Sequence, residues 1–249
     1  MKLGQLLFSQ GFGTRRECGA LVAHGLVEIE EAEGSEARDG VDPAGGRRIV
    51  EDVDLELGDP TGRWFRVRGE RWPYHEHALI AMNKPAGYEC SLKPRHHASV
   101  HSLLPAPLRQ RGLQPIGRLD EDTTGVLLFT DDGTLVHRLT SPRRHVAKVY
   151  EVRCRHPVDA TQVERLLAGV LLHDDDRTVW AAACEATGEH ELRLTLVEGK
   201  YHQVKRMVAA VGNRVEALHR SSFGEVRVDD LAPGAWRWAD AQAAAKVAG

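Results

Sequence analysis

Residues Gly117 to Thr130 read GRLDEDTTGVLLFT, an acidic, hydroxyl-rich loop that runs straight into an apolar stretch. Val126, Leu127, Leu128 and Phe129 suit a strand and lie between Gly125 and the turn-forming Asp131-Asp132-Gly133, which predicts a buried β-strand. The loop before it then opens at the mouth of a sheet. Gly117 and Gly125 permit tight backbone there, and Arg118, two residues from Asp120, brings a cation that favours the ionised carboxylate. That places one charged base or nucleophile at a strand mouth. Solvated turn acids would give the same pattern, and that is the commoner role of an arbitrary aspartate.

Outward from this loop the chain mixes strands and helices. Ala78 to Met82 predicts a strand stopped by Asn83-Lys84-Pro85-Ala86-Gly87. Downstream, Ser141-Pro142-Arg143-Arg144-His145 precedes a strand from Lys148 to Cys154, in which Tyr150 shares a face with Val152 and Cys154 and so fits a core position. Val163, Leu166 and Leu167 have helical spacing, whereas Leu192, Leu194 and Leu196 alternate as in a strand. That strand delivers Glu198 to Met207 to its C-terminal mouth. Val204, Met207, Val208 and Val211 then mark a helix face closed by Gly212-Asn213, with Lys205 off the apolar stripe. Tight turns without regular βαβ alternation predict an α+β fold, a mixed and mainly antiparallel sheet with flanking helices.

Four motifs stand in order between about residues 78 and 240: NKPAG at 83, GRLDEDTTG at 117, AKVYEV at 147 and EGKYHQVKRM at 198. Together they resemble the ribosomal RNA pseudouridine synthases of the RsuA family. The resemblance implies that family's fold, no cofactor and no metal. It implies Asp120 as the catalytic residue, Tyr150 lining the pocket and stacking on an extruded base, and Lys205 pairing with Asp120. Arg118 would help set the charge, and Arg143, Arg144, Lys148, Lys200 and Arg206 would hold RNA. The stretches 130–152 and 198–220 look most like members acting on small-subunit (16S) RNA, with Tyr201-His202 tipping the choice.

The reaction so implied breaks a uridine's N-glycosidic bond, turns the base and joins its C5 to C1′. A single carboxylate suits it, either by capturing or stabilising the anomeric carbon or by removing a ribose proton. A stacked uridine must first be everted, which suits Tyr150 and the basic flanks. Three alternatives stay open: the same reaction on large-subunit (23S) RNA, a non-catalytic RNA-binding ribosome-assembly factor, and a hydrolase built on Asp120 and Asp122.

The N-terminal stretch is distinct. Leu3, Leu6 and Leu7 have helical spacing, Thr14 and Glu17 form a candidate capping box, and Leu26 to Ile29 predicts a strand. TRRECGALVAHGLVEI resembles a small S4-type RNA-binding module, with Arg15 and Arg16 in the first turn of its second helix. Glu30, Glu31, Glu33, Glu36, Asp39 and Asp42 depart from a neutral or basic RNA-facing surface. The expected organisation is therefore an acidic S4-like module over 1–61, a linker over 62–77 and a catalytic domain over 78–249. Arg63, Arg66, Arg68 and Arg71 of the linker are candidates to follow a phosphate backbone.

Composition bounds the rest. The 249 residues are 42% hydrophobic and 28% charged, without a run of about eighteen apolar residues to span a bilayer. No export signal is legible, so a cytoplasmic monomer is expected, acting on ribosomal RNA or a ribosome assembly intermediate. The net charge of −3 hides an asymmetry: residues 1–61 carry 6 Lys/Arg against 13 Asp/Glu, so the basic surplus lies in 62–249. Cys18, Cys90, Cys154 and Cys184 show no CxxC spacing, and the 13 histidines form no HExxH pattern.

Overall fold

The computed structural model describes residues 1–30, 47–172 and 176–245. The acids from Glu31 to Asp42 lie outside the described residues. Among the described residues no helix is long and apolar enough to cross a membrane. The chain forms two compact units, Met1–His77 with Leu104–Leu113, and Ala78–Leu103 with Gln114–Gly249.

In the first unit, helices α1 (Leu3–Ser9) and α2 (Arg15–Ala23) accompany an antiparallel sheet of β1 (Val27–Glu30), β2 (Arg47–Ile49), β3 (Trp64–Val67) and β4 (Glu70–Pro73), in the order β2-β1-β3-β4. The capping box forms: the Thr14 amide donates to Glu17 Oε2 at 2.7 Å, and the Glu17 amide donates to Thr14 Oγ1 at 3.3 Å. Leu3, Leu6, Leu7, Val22 and Phe65 are fully buried. Phe12 meets Phe65 and Trp72 edge-on at 5.6 and 5.4 Å, a favoured aromatic geometry.

Two expectations change here. The stretch 62–77 is no linker, because β3 and β4 form a hairpin whose Val67, Phe65 and Trp72 are buried in this unit's core. Its arginines are partly spent within the protein: Arg71 makes a bidentate pair with Glu30 at 2.8 and 2.7 Å, and Arg66 approaches the same carboxylate at 3.5 Å. The second change is the short helix α3 (Ala106–Gln110), which belongs to the first unit although its neighbours in sequence belong to the second. Leu108 and Leu113 are 1% exposed, and Arg111 donates to Gln10 Oε1 at 2.7 Å and to the His75 carbonyl at 3.0 Å.

The second unit is built on β5 (Leu79–Lys84), β8 (Gln114–Ile116), β9 (Thr124–Thr130), β10 (Lys148–Cys154), β13 (Ala183–Gly188), β14 (Glu191–Leu196), β15 (Val215–Phe223) and β16 (Trp236–Trp238). Small strand pairs flank it, β6 (Tyr88–Glu89) with β7 (Ala98–Ser99) and β11 (Val170–Leu171) with β12 (Thr178–Val179). The main sheet runs β13-β14-β10-β15-β9-β5-β16, with β8 also on β9; it is antiparallel except for the parallel pair β15 and β9. Helices α4 (Gly133–Thr140), α5 (Ala160–Ala168), α6 (Gln203–Ala210) and α7 (Ala241–Ala244) accompany it. The expected α+β, mainly antiparallel architecture is the one present.

Val126 to Phe129 are fully buried, which puts β9 in the interior. At about 1.5–3 kcal/mol per large apolar side chain, this run alone is a major anchor. Leu79, Ala81, Ile116, Val126 and Leu128 pack with Leu135 and Leu139 of α4 and with Phe223 on one face of the sheet. The acidic loop is thus tethered to a strand buried in the unit's core.

Candidate active site

The loop before β9 is held by a lysine. Lys84 is fully buried at the end of β5, and its ammonium donates to the carbonyls of Pro85 (3.0 Å), Asp120 (3.0 Å), Glu121 (3.2 Å) and Thr123 (2.9 Å). Burial lowers its proton affinity below the ordinary lysine value, against the smaller opposing pulls of Cys90, Asp122, Glu121 and Asp120. The Gly87 amide also donates to the Glu121 carbonyl at 2.7 Å. NKPAG is therefore a clamp as well as a turn, and it fixes the backbone that carries Asp120.

Gly125 is required by close approach. It has φ +101°, and a Cβ there would lie 2.2 Å from the Arg220 carbonyl oxygen, because β9 and β15 pair in parallel at this point. Only a residue lacking Cβ lets the two backbones meet.

The Asp120 side chain, 22% exposed, sits between two donors. Lys205 Nζ lies 3.0 Å from Oδ2 and His202 Nε2 lies 3.2 Å from Oδ1. The same ammonium bonds Asp122 at 2.7 and 2.9 Å. For Lys205, burial pulls proton affinity down, but the hydrogen bonds and charges of Asp122 and Asp120 outweigh it and leave the pKa raised. For Asp122, burial pushes up and the Lys205 contact more than reverses it, so its pKa is lowered. Lys205 thus stays charged, as expected of a group that orients a carboxylate.

His202 reaches Asp120 through an unusual backbone. It caps α6 in the left-handed region, φ 48° and ψ 33°, and its ring stacks on Tyr201 at 3.7 Å. A histidine held there carries strain of about 1–3 kcal/mol, the kind of outlier that gathers at functional sites.

Asp120, Lys205 and His202 line a cavity of about 130 Å³, together with Tyr150, Lys148, Leu218 and Arg220. It is smaller than the ~300–1,000 Å³ of typical drug-sized sites, so it suits one ring rather than a bulky cofactor. A larger concavity, about 610 Å³, lies in the first unit around Phe12, Leu21, Val67 and Pro107; its charged lining residues Glu17, Glu70 and Arg68 form no ion pair with one another among the described residues.

The sheet brings Tyr150 here. Tyr150 is 8% exposed on β10, and it pairs with Leu194 on one side and Arg220 on the other. A register shift between Val149 and Tyr150 skips Ser221, which turns Arg220 onto the Tyr150 face. A bulge that re-aims a side chain beside a site is a recurrent device. Arg220 is 2% exposed and donates from Nε to the Val126 carbonyl at 2.8 Å.

The other expected site residues divide. Lys148, 8% exposed, and Lys200 line the cavity. Arg118 lines it too but is exposed and makes no ion pair with Asp120 among the described residues, so Lys205 and His202 take the role expected of it. Arg143 and Arg144 are exposed on a 3-10 turn, and Arg206 donates to the Tyr201 carbonyl at 3.0 Å outside the cavity lining. Arg15 and Arg16 lie in the first unit, exposed at the start of α2, with the Arg15 guanidinium 5.1 Å from the Phe8 ring. Lys84, His202 and Arg220 had no assigned role in the sequence reading. A lysine closing an apolar strand run, and an arginine two residues after Leu218 in a strand, were the signals available.

A family model described as RNA pseudouridylate synthase matches residues 78–210. An RNA pseudouridine synthase of Bacillus subtilis, YtzG, described as uncharacterized, is 39% identical over 242 residues, covering 95% of this chain and 94% of its own. The ribosomal small subunit pseudouridine synthase A of Vibrio cholerae is 35% identical over 248 residues, covering 99% of each. A crystal structure described as a pseudouridylate synthase superposes with a TM-score of 0.64 at 29% identity, covering 99% of both chains.

Proposed function

Because this chain belongs to the RNA pseudouridylate synthase family, an isomerase family, we propose that it converts one uridine of small-subunit (16S) ribosomal RNA to pseudouridine, with Asp120 as its catalytic carboxylate. The observation that carries this reading is the Lys205 ammonium 3.0 Å from Asp120, in a cavity that Tyr150 also lines. Whether the carboxylate captures C1′ or removes a ribose proton, it must stay charged and fixed, which Lys205 and the Lys84 clamp support. Tyr150, held by strand neighbours on both sides, offers a flat face to an everted base. Arg118, Lys148 and Lys200 line the cavity, while Arg143, Arg144 and Arg206 lie outside it and follow the RNA backbone.

The small-subunit choice rests on the full-length likeness to the Vibrio cholerae protein and on Tyr201-His202. The first unit acts as the S4-type RNA-binding module, with Arg15 and Arg16 exposed for phosphate. The test is Asp120→Asn with pseudouridine mapping of ribosomal RNA. The variant is expected to fold, bind RNA and form no pseudouridine. Undiminished formation by the folded variant refutes the role of Asp120, and modification confined to large-subunit RNA refutes the substrate choice.

A further inference from the structure

Arg220 and Lys148 form a second cationic group in the same cavity, apart from the Lys205 contact. Arg220 is 2% and Lys148 8% exposed, and they flank one ring, with the guanidinium 5.3 Å and the ammonium 5.2 Å from the Phe223 centroid. Neither has a carboxylate partner among the described residues. Lys148 Nζ donates to the Val146 carbonyl at 3.0 Å, and Arg220 Nη2 is buried with no acceptor among the described residues. The two carboxylates lining the cavity are engaged elsewhere: Asp120 by Lys205 and His202, and Glu198 by Gln203 Nε2 at 2.6 Å. The crowding is felt by Lys148, whose pKa falls to about 8, first through burial and then through the charge of Arg220, with Glu198 opposing. Two buried cations without a counter-ion are costly, and such a pair in a cleft points to a ligand that supplies negative charge.

We propose that Arg220, with Lys148 beside it, stabilises the negative charge that develops on the uracil as its glycosidic bond breaks. This deepens the pseudouridine reading and rests on it. When the N1–C1′ bond breaks, its electron pair leaves with N1 and spreads through the ring onto the carbonyl oxygens O2 and O4. Fixed donors in a water-poor cavity act where that charge appears. The pair returns as the C5–C1′ bond forms; C5 then gives up one proton and N1 takes one up, so no atom is lost and no oxidant is needed. The cost of holding two cations side by side is recovered when the base ionises. Burial also separates this role from phosphate binding: an RNA phosphate keeps its water, whereas this pair lies in the wall that Tyr150 and Leu218 form.

The experiment uses the full chain with unmodified transcripts of both ribosomal RNAs, and measures single-turnover rate at saturating enzyme, RNA Kd and Tm. Arg220→Met is expected to lower the saturating rate about 10²–10³-fold with Kd within about threefold of wild type. Arg220→Lys should regain at least about tenfold of that loss, because it restores charge without the fork, and Lys148→Met should cost about tenfold. A saturating rate for Arg220→Met within about threefold of wild type overturns the proposal. So does a loss that tracks Tm and that Arg220→Lys fails to repair, which would mark a merely structural residue. If Arg220→Met does not fold, Arg220→Lys and Lys148→Met decide alone, and wild-type saturating rates in both overturn it. An inactive wild type would fail the underlying reading instead, whereas an active wild type with unaffected variants fails only this inference.

Discussion

Lys84→Met removes a charge while keeping most of the buried stem. The ammonium has three protons and meets four carbonyl oxygens at 2.9 to 3.2 Å, three of them in the loop Asp120–Thr123. Charge-assisted hydrogen bonds contribute about 1.5–3 kcal/mol each, and desolvation of a fully buried cation, visible in its lowered proton affinity, offsets part of that. Removing one side of a buried charged network typically costs about 3–5 kcal/mol, because the carbonyls stay behind without donors. For a unit of this size that corresponds to a Tm lower by roughly 2–4 °C per kcal/mol, or about 6–20 °C in all. Scanning calorimetry of the full chain should show the drop, and Lys84→Arg should not repair it, since the cage fits a compact ammonium and not a planar fork. Pseudouridine formation, assayed well below the lowered Tm, should fall at least about 100-fold as the Asp120 backbone loses its tether. A variant that melts within about 2 °C of wild type and retains its rate would refute the clamp.

Other outcomes follow from the same geometry. Gly125→Ala should destabilise the second unit by about 2–4 kcal/mol, since its Cβ would lie 2.2 Å from the Arg220 carbonyl oxygen at φ +101°; an unchanged urea midpoint would refute the close approach. kcat/KM should fall as pH rises through about 8, where Lys148, facing Arg220 and Glu198, loses its proton, and Lys148→Arg should remove that limb. Stability should move the other way: between about 8 and the ordinary lysine value of 10.5 the unfolded chain holds a proton that the folded chain has released, so folding gains as pH rises. His202→Gly should relieve the left-handed cap at φ 48° yet lose the Asp120 contact, so Tm holds or rises while the rate drops; a rate equal to wild type would show that contact to be idle.

Much of the site was legible before the fold. The apolar run after Gly125, the alternation of Leu192, Leu194 and Leu196, and the face of Val204, Met207 and Val208 each report a local period, and each became the expected strand or helix. Asp120 and Lys205 were named from motifs far apart in the chain, and they meet at 3.0 Å. Arg118, expected to help keep Asp120 charged, makes no ion pair with it among the described residues, because nearness in sequence does not set side-chain direction in a loop that turns at Gly117, φ +70°. The 62–77 stretch was misread for a related reason. Its Gly, Pro and arginine content resembles a connector, but Phe65, Val67 and Trp72 bury in a core that Phe12 and residues elsewhere in the chain complete, and Glu30 neutralises two of its cations.

Sequence alone determined the kinds of element, the order of the motifs and the chemical type of the central carboxylate, because these depend on local periodicity and on residue identity. Tertiary structure decided which cation holds Asp120, which lysine cages its loop, and that a skipped residue on β15 turns Arg220 toward Tyr150. Each of these is a through-space relation between strands distant in the chain. Register, burial and one backbone's approach to another exist only once the sheet is assembled.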